Sequence, residues 1–352
     1  MTKEEAISMT APSTFRLPTL AVLLGDPAGI GPEMAAKLLA RDENRERAQL
    51  LIVGDRIIWD DAQRIANVQV PTVTVSSLDD ITFEAGHVSL LDLDVLQGQL
   101  PERGVCSEAA GRATFLAMEK AIDLCREDIC HGILFAPFNK HSLRLGGLQA
   151  EDELRHMQER FGVEDFVCEF NIAERLWTSR VTSHVPIREV AQHISREGVV
   201  AAVRIIDHAL KQAGVETPRI AVCGLNPHAG DGGSIGSEEI DTIAPAIGDA
   251  RTAGMHALGP FPSDTVFIAA RRGDFDAVVC MYHDQGQIAM KLMGFDQGVT
   301  SHGGLPVPVA TSASGSAFDI AGQGKANVHG LQRAFDLCTR MASHGREKLV
   351  VA

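Results

Sequence analysis

Short apolar runs alternate along the chain with longer segments in which apolar residues recur at helical spacing. The apolar runs have the length of strands, about four to eight residues. In chain order the candidate strands are TLAVLLG (19–25), LLIVG (50–54), VSLLDL (88–93), HGILFAP (131–137), FVCEF (166–170), TSRVTS (178–183), RIAVCGL (219–225) and DAVVCMY (276–282). Strands that are apolar at almost every position are typical of a parallel sheet that is covered by helices on both faces.

The segments of helical period lie between and after these runs. They are 32–40, 107–125, 152–161, 187–213, 237–254 and 327–344, and 187–213 is long enough for two helices. This alternation of strands and helices predicts an α/β fold with a largely parallel sheet. No repeat, low-complexity tract or obvious linker marks a domain boundary.

Composition narrows the class of protein. With 352 residues and 45% hydrophobic residues, the chain can form two domains or one large one. A formal net charge of −14 argues against nucleic acid and anionic membrane as partners, since both favour clustered Lys and Arg. No apolar run approaches the roughly 18 residues of a membrane span. Seven cysteines without a C-x-x-C pair predict reduced thiols in a cytoplasmic protein. The first 18 residues predict a loose tail and not a signal peptide.

Three histidines stand just beyond predicted strands. His184 follows RVTS, His228 follows RIAVCGLNP and His283 follows AVVCMY. Ligand sites of open α/β sheets gather at the carboxyl ends of the strands. Three imidazoles there would suit Zn²⁺, Co²⁺ or Mn²⁺, and Mg²⁺ less typically. Their separations match no local metal motif, so the alternative that each histidine belongs to an ordinary turn stays open.

Other stretches carry possible chemistry, each with a plainer alternative. GDPAGIGPE (25–33) predicts either an anion-binding helix start or a simple strand–helix turn. Lys291 could hold a substrate carboxylate or assist proton transfer, or it could be a solvated surface lysine. Asp264 and Asp284 could orient imidazoles or carry protons, or they could cap helices. The small residues of 314–327 could line a nucleotide pocket or form a loop.

Six of these stretches together resemble one family. They are GDPAGIGPE (25–33), VTSHVPIRE (181–189), CGLNPHAGDGGSIGSEEIDTIAPA (223–246), GPFPSDTVF (259–267), MYHDQG (281–286) and SGSAFDIAG (314–322). In this order, from about residue 19 to about residue 340, they resemble the PdxA family, whose namesake is the 4-hydroxythreonine-4-phosphate dehydrogenase of pyridoxine biosynthesis.

The resemblance implies a fold similar to that of the isocitrate and isopropylmalate dehydrogenases, with two α/β/α domains and a cleft between them. The first domain would comprise 1–130 and 300–352. The second, 131–299, would carry most of the metal site and the interface of a homodimer. The active site would lie in the cleft and be completed near that interface.

The resemblance also implies the chemistry. The expected enzyme uses NAD and a divalent metal to oxidise a secondary alcohol of a hydroxy acid, and the β-keto acid formed by the namesake loses CO₂ readily. His184, His228 and His283 match the family's metal ligands. Lys291 matches its substrate lysine. Asp264 and Asp284 remain candidates for the catalytic proton transfers.

The substrate-facing positions depart from the family. Glu151 and Asp152 stand where the namesake has a His-Thr pair, and Thr300 stands where it has a substrate-binding Asn. The phosphate-binding Arg of the namesake falls at Val309 or Ala310, in a run with one extra residue. Loss of this Arg and gain of two carboxylates both disfavour a phosphorylated substrate.

These departures leave two enzymes of the family open. One is the pyridoxine-biosynthesis dehydrogenase with a rearranged loop. The other is a catabolic paralogue that acts on an unphosphorylated hydroxy acid or a carboxylated cis-dihydrodiol. Outside the family, three histidines with a nearby Asp could also serve a metal-dependent hydrolase, and a non-catalytic binding protein on an old enzyme fold is a further alternative.

Overall fold

The computed structural model describes residues 17–294 and 298–351. Its strands are β1 (Thr19–Leu23), β2 (Gln49–Gly54), β3 (Thr72–Val75), β4 (Val88–Asp92), β5 (Gly132–Phe135), β6 (Cys168–Ala173), β7 (Leu176–Arg180), β8 (Ile220–Cys223), β9 (Ala257–Phe261), β10 (Ala277–Cys280), β11 (Val299–Gly303) and β12 (Val309–Ser312). Its helices are α1 (Gly31–Leu39), α2 (Asp42–Arg45), α3 (Arg56–Ala66), α4 (Glu108–Arg126), α5 (Lys140–Leu145), α6 (Glu153–Phe161), α7 (Val190–His193), α8 (Arg196–Gln212), α9 (Ala244–Thr252), α10 (Ser263–Arg272), α11 (His283–Leu292) and α12 (His329–Val351).

All these strands form one sheet in the order β3-β4-β2-β1-β5-β12-β11-β6-β7-β10-β8-β9. The six strands from β3 to β12 pair in parallel and form the first half of the sheet. The four strands from β7 to β9 also pair in parallel and form the second half. Between the halves, the pairs β12–β11, β11–β6 and β6–β7 are antiparallel. Three reversals make the two halves run in opposite directions.

The first half owes its stability to apolar strands that are covered on both faces. In β1, Leu20 and Val22 point into one hydrophobic cluster, and Ala21 and Leu23 point into another. All four side chains are at most 1% exposed. Successive side chains of a strand point to opposite faces, so a strand between two layers of helices must be apolar at every position.

The structure confirms the predicted α/β fold and the largely parallel sheet. The candidate strands agree with β1, β2, β4, β5, β6, β7, β8 and β10 within a few residues. Four strands were not predicted: β3, β9, β11 and β12. Of these, β9 contains Gly259 and Pro260, and β11 reads VTSHG, so neither has a strand-like apolar pattern.

The predicted helices are also present, with one irregular start. The segment 237–254 begins with a wide helical turn at Glu239–Ile243 before α9. Helices α2, α3, α5, α10 and α11 were not predicted. No helix in the described parts of the chain is long and apolar enough to cross a membrane. The domain bounds inferred from the resemblance stay a prediction.

Candidate active site at the ends of β7, β10 and β8

The three predicted metal ligands follow three neighbouring strands of the second half. His184 lies in the loop after β7, His283 begins α11 directly after β10, and His228 lies in the turn after β8. These strands are parallel and adjacent in the order β7-β10-β8. Their carboxyl ends therefore meet at one edge of the sheet, as the sequence predicted, and the three histidines share that edge.

His184 and His283 form a pair that suits a metal. Their ring centroids are 5.9 Å apart. Two histidines bound to one tetrahedral metal, with metal–nitrogen bonds of about 2.0–2.1 Å, place their centroids about 5 Å apart. The Nδ1 atom of His184 lies 2.6 Å from Glu151 Oε1, and that of His283 lies 2.8 Å from Asp284 Oδ1. A carboxylate on one ring nitrogen, which leaves Nε2 for the metal, is the common arrangement of metal-bound histidine.

His228 sits on a turn with an unusual backbone. Five consecutive residues, 228–232, have positive φ angles of 44–80°. Three of them, His228, Ala229 and Asp231, carry side chains that disfavour this region. Glu239, only 3% exposed, holds the turn from inside. Its Oε1 accepts hydrogen bonds from the amides of Leu225 and Asn226, both at 2.7 Å. A Cβ atom at Gly230 would lie 2.6 Å from Glu239 Oε2, so this position requires glycine.

The three imidazoles share one edge of the sheet but do not converge as one set among the described residues. Within residues 17–294 and 298–351, two groups have donor atoms that all lie within 4.8 Å of one another. They are Glu151 with Asp152 and His184, and Glu153 with Glu169 and His302. His228 is exposed and belongs to neither group. The donor chemistry of the edge fits a divalent metal, and His184 and His283 have the spacing for it.

Gln285, which sequence reasoning left without a role, fixes the start of α11. Its Oε1 accepts a hydrogen bond of 2.7 Å from the amide of Met281, and its Nε2 donates one of 2.9 Å to the carbonyl of Gly224. The turn after β10 is thereby tied to the end of β8. A Cβ atom at Gly286 would lie 2.9 Å from the sulfur of Cys280, so the helix approaches the strand closely here. The YHDQG stretch thus positions His283 rigidly.

The predicted substrate residues occupy different places. Glu151 is exposed and lies beside His184, with its Oε1 atom 2.6 Å from Nδ1 of that histidine. Asp152 is 6% exposed and caps α6, since its Oδ1 accepts a hydrogen bond from the amide of Arg155 at 2.9 Å. The side chain of Asp152 therefore stabilises the start of α6. Thr300 is half-buried in β11, paired with Asn171 of β6.

The remaining candidates lie on α10 and α11. Lys291 is exposed in the last turn of α11, eight residues after His283 and about 12 Å further along the helix axis. Asp284 is exposed and bound to His283. Asp264 is exposed in the first turn of α10, which follows β9, the neighbour of β8. Asp264 and Asp284 are therefore both at the edge that carries the histidines.

The alignment of the namesake's phosphate Arg with Val309 or Ala310 stays a prediction. Both residues lie in β12 and are 0% and 1% exposed, inside the two hydrophobic clusters. Neither side chain is therefore open to solvent in this chain, whereas the segment 304–308 before β12 is partly exposed.

A cavity of about 280 Å³ opens beside His184, and sequence reasoning missed most of its polar wall. Arg180, 4% exposed, is at its centre. Its three nitrogens each donate a hydrogen bond of 3.0 Å, to Ser183 Oγ, Asn171 Oδ1 and Glu169 Oε2. The available signal was a charged residue in each of two largely buried strands, Glu169 in β6 and Arg180 in β7.

Glu169 lines the cavity, and its side chain is largely buried behind the cavity surface. Burial alone raises the pKa of its carboxyl group, but the charges of His302 and Arg180 outweigh that effect. The pKa of Glu169 is therefore held below its ordinary value, and the group is ionised at neutral pH.

The GDPAGIGPE turn is buried and its amides are occupied. The amide of Ala28 donates to Asp26 Oδ1, that of Gly29 to the Asp26 carbonyl and that of Ile30 to the Ser316 carbonyl, at 2.8–3.0 Å. A Cβ atom at Gly29 would lie 2.7 Å from the Ser316 oxygen. The turn therefore packs against 314–327, and the structure favours the plain strand–helix reading over an anion site. Residues 322–325 of that loop are exposed.

Comparison with known proteins gives one family. The model of the family described as "Pyridoxal phosphate biosynthetic protein PdxA" matches residues 46–338. A Pseudomonas aeruginosa protein, provisionally named 4-hydroxythreonine-4-phosphate dehydrogenase 2, is 49% identical over 96% of this chain and 99% of its own. The D-threonate 4-phosphate dehydrogenase of Cupriavidus necator is 35% identical over 93% of this chain and 99% of its own.

Solved structures agree with this result. A Salmonella typhimurium protein, provisionally identified as a 4-hydroxythreonine-4-phosphate dehydrogenase, has a TM-score of 0.79 at 34% identity, over 92% of this chain and 99% of its own. The terephthalate 1,2-cis-dihydrodiol dehydrogenase of Burkholderia xenovorans has a TM-score of 0.68 at 27% identity, over 92% of this chain and 98% of its own.

Proposed function

The chain belongs to the PdxA family of dehydrogenases, and we propose that it oxidises a secondary alcohol of a small hydroxy acid with NAD and a divalent metal. The observation that carries the proposal is the pair formed by His184 and His283, at the ends of adjacent strands, with a carboxylate on each Nδ1. His228 is the third ligand in this proposal. The dehydrogenase names of the relatives speak against the hydrolase and the non-catalytic binding protein.

The residues at this edge of the sheet have different roles in the proposed reaction. When bound, the metal would lower the pKa of the substrate alcohol and NAD would take up the hydride. Glu151 and Asp284 hold the two imidazoles in one tautomer and one orientation. Asp264 and Asp284, both exposed, are the carboxylates that can take the proton of the alcohol. Lys291 would meet the carboxylate end of the substrate.

NAD would lie against the loop 314–327. This loop consists largely of small residues, packs on the GDPAGIGPE turn and exposes residues 322–325. The exposed backbone groups of this loop can donate hydrogen bonds to a nucleotide or accept them from it. In the GDPAGIGPE turn, the amides of Ala28, Gly29 and Ile30 are already hydrogen-bonded within the protein.

We further propose that the enzyme is a homodimer. Helices α10 and α11 and the turn before α9 carry large apolar side chains that are exposed in the single chain: Ile240, Ile268, Ile288 and Leu292, at 54–85%. An apolar surface of this kind on a soluble enzyme usually marks an interface. These helices also carry Asp264 and Lys291, so the interface and the site would adjoin.

The substrate is proposed to be a four-carbon phosphorylated hydroxy acid of the kind that the relatives' names print. A second candidate, an unphosphorylated hydroxy acid or carboxylated dihydrodiol, is favoured by one observation. Glu151 and Glu169 both line the cavity beside His184, and Arg180 is already bound to three protein groups. Two carboxylates facing a phosphate dianion without a free guanidinium would weaken its binding.

NADH formation by the metal-loaded protein tests the proposal. The substrates are 4-phosphooxythreonine, D-threonate 4-phosphate, their unphosphorylated counterparts and a carboxylated cis-dihydrodiol. Turnover of either class supports the dehydrogenase, and the class identifies the substrate. His283→Ala should lower kcat/KM more than about 100-fold, because even the partners of a metal ligand are worth about 10- to 100-fold. His87→Ala, in the exposed turn before β4, is the control. Equal activity of His283→Ala and native protein would refute the ligand assignment.

A further inference from the structure

Within residues 17–294 and 298–351, His302 is a buried histidine without a hydrogen-bonding partner. It lies in β11 and is 3% exposed, and neither ring nitrogen has a partner among the described residues. Burying an imidazole in this state is unfavourable, because it has lost its water without gaining a protein partner. Its only ring contact there is with Phe135, whose centroid lies 5.7 Å away.

Two carboxyl groups face this histidine. Glu169 is its direct partner across the antiparallel pair β6–β11. Glu153, in the first turn of α6, is 9% exposed, and its Oε2 likewise has no hydrogen-bond partner among the described residues. One nitrogen of His302 and one oxygen of each carboxyl group lie within 4.8 Å of one another. Three elements thus present possible metal ligands to one point, and those of Glu153 and His302 include unsatisfied atoms.

We propose that Glu153, Glu169 and His302 bind a divalent cation of the Mn²⁺ or Zn²⁺ class, at a site separate from the three-histidine edge. One imidazole and two carboxylates form a donor set that these ions accept, and the site leaves positions for further ligands. A cation would satisfy the orphaned atoms of His302 and Glu153 together. It would also tie α6, β6 and β11 to one another behind the cavity.

The charges around the site leave room for a cation. Arg180 donates to Glu169 Oε2 at 3.0 Å, which leaves Oε1 of that carboxyl group for a ligand. A bound cation requires the neutral form of His302, and the two carboxylates and Arg180 then carry a net charge of −1. The charge of Lys140 also reaches Glu169, without an ion pair between them in the described residues.

An ion can reach the proposed cation site from the cavity beside His184. The side chain of Glu169 is 21% exposed and lines the cavity beside His184. An ion can therefore approach from the cavity and reach Glu153 and His302 behind it. This entry through a shared residue would make the site sensitive to what occupies the cavity.

Counting bound Mn²⁺ tests the proposal. The full chain is stripped of metal, equilibrated with Mn²⁺ and analysed for metal per chain. Glu153→Gln and His302→Gln should each lose one ion per chain relative to native protein. Glu159→Gln, the same change at an exposed position of α6, should lose none. Equal counts in all four proteins would overturn the proposal.

The same measurement separates this site from the three-histidine edge. His283→Ala should lose a different ion, so its loss and that of Glu153→Gln should add. If the edge binds no Mn²⁺, native protein binds one ion that survives His283→Ala and disappears in Glu153→Gln. If only the edge binds, native protein binds one ion that disappears in His283→Ala alone, and the present proposal fails.

Two further readouts guard against a variant that does not fold. Mn²⁺ should raise the melting temperature of native protein and Glu159→Gln by more than that of Glu153→Gln, which lacks one of the bound ions. Anomalous diffraction from crystals of native protein soaked in Mn²⁺ should show a peak bonded to Glu153, Glu169 and His302. Absence of that peak from crystals soaked at a saturating Mn²⁺ concentration would overturn the proposal without any variant.

Discussion

The strands β1 and β2, here called the outer strands, and the strands β6, β7 and β11, here called the central strands, are buried to a similar degree but contain different residues. In β1, every position is buried and four of five side chains are apolar. In β6, β7 and β11, buried positions include Asn171, Arg180 and His302. The outer strands are stabilised by packing, which many apolar residues can supply. The central strands depend on specific polar partners, and these partners surround the site.

The largest effect should follow from breaking the central network. Arg180→Leu leaves Glu169 ionised and partly buried without its partner, and leaves Asn171 with one hydrogen bond fewer. We expect the free energy of unfolding to fall by about 3–5 kcal/mol, the usual cost of removing one member of a buried ion pair. Urea denaturation measures it.

The double variant sharpens this result. Arg180→Leu with Glu169→Leu removes both charges, so part of the lost stability should return. A double variant that is less stable than Arg180→Leu alone would contradict the role of the ion pair.

A slightly smaller effect is expected in the outer strands. Leu20→Ala in β1 removes a side chain that is 0% exposed and leaves a cavity, which should lower the free energy of unfolding by about 2–5 kcal/mol. Unlike Arg180→Leu, it should leave kcat/KM of the folded enzyme unchanged, because β1 supports packing alone. A loss of activity per folded molecule would mean that the two regions are not separable in this way.

The smallest effect concerns pH. Because His302 and Arg180 hold the pKa of Glu169 below its value of about 4.5 in the unfolded chain, ionised Glu169 stabilises the fold above that pH. This contribution is lost as the pH falls through the lower pKa of the folded state. The stability difference between native protein and Glu169→Gln should therefore shrink from pH 6 to pH 3. A difference that stays constant over this range would exclude the linkage.

The same contrast explains what the sequence could predict. The apolar runs of β1, β2 and β10 were recognisable because strands buried on both faces leave a continuous apolar pattern. The edge that carries His184, His228 and His283 followed from their places after such strands. Helix α4 was predicted at 107–125 and lies at Glu108–Arg126, since its apolar period and its N-terminal serine are both visible.

The polar centre could not be predicted in this way. A strand such as β11, with the sequence VTSHG, looks like a loop until its partners are known. His302 and Glu169 are 133 positions apart, and only the pairing of β11 with β6 brings them together. An insertion before β12 is likewise hard to place from the sequence, because only the pairing of β12 with β11 and β5 fixes the register of the strand.

The uninterrupted order of the sheet also limits how this enzyme can move. Backbone hydrogen bonds connect each strand to the next from β3 to β9, so the two halves are not separate bodies on a flexible linker. Any motion of one half against the other would have to bend the sheet at β11, β6 and β7, the strands where the direction reverses. Glu169 and Arg180 of the cavity lie in two of these strands, so a ligand bound there would contact the junction of the two halves.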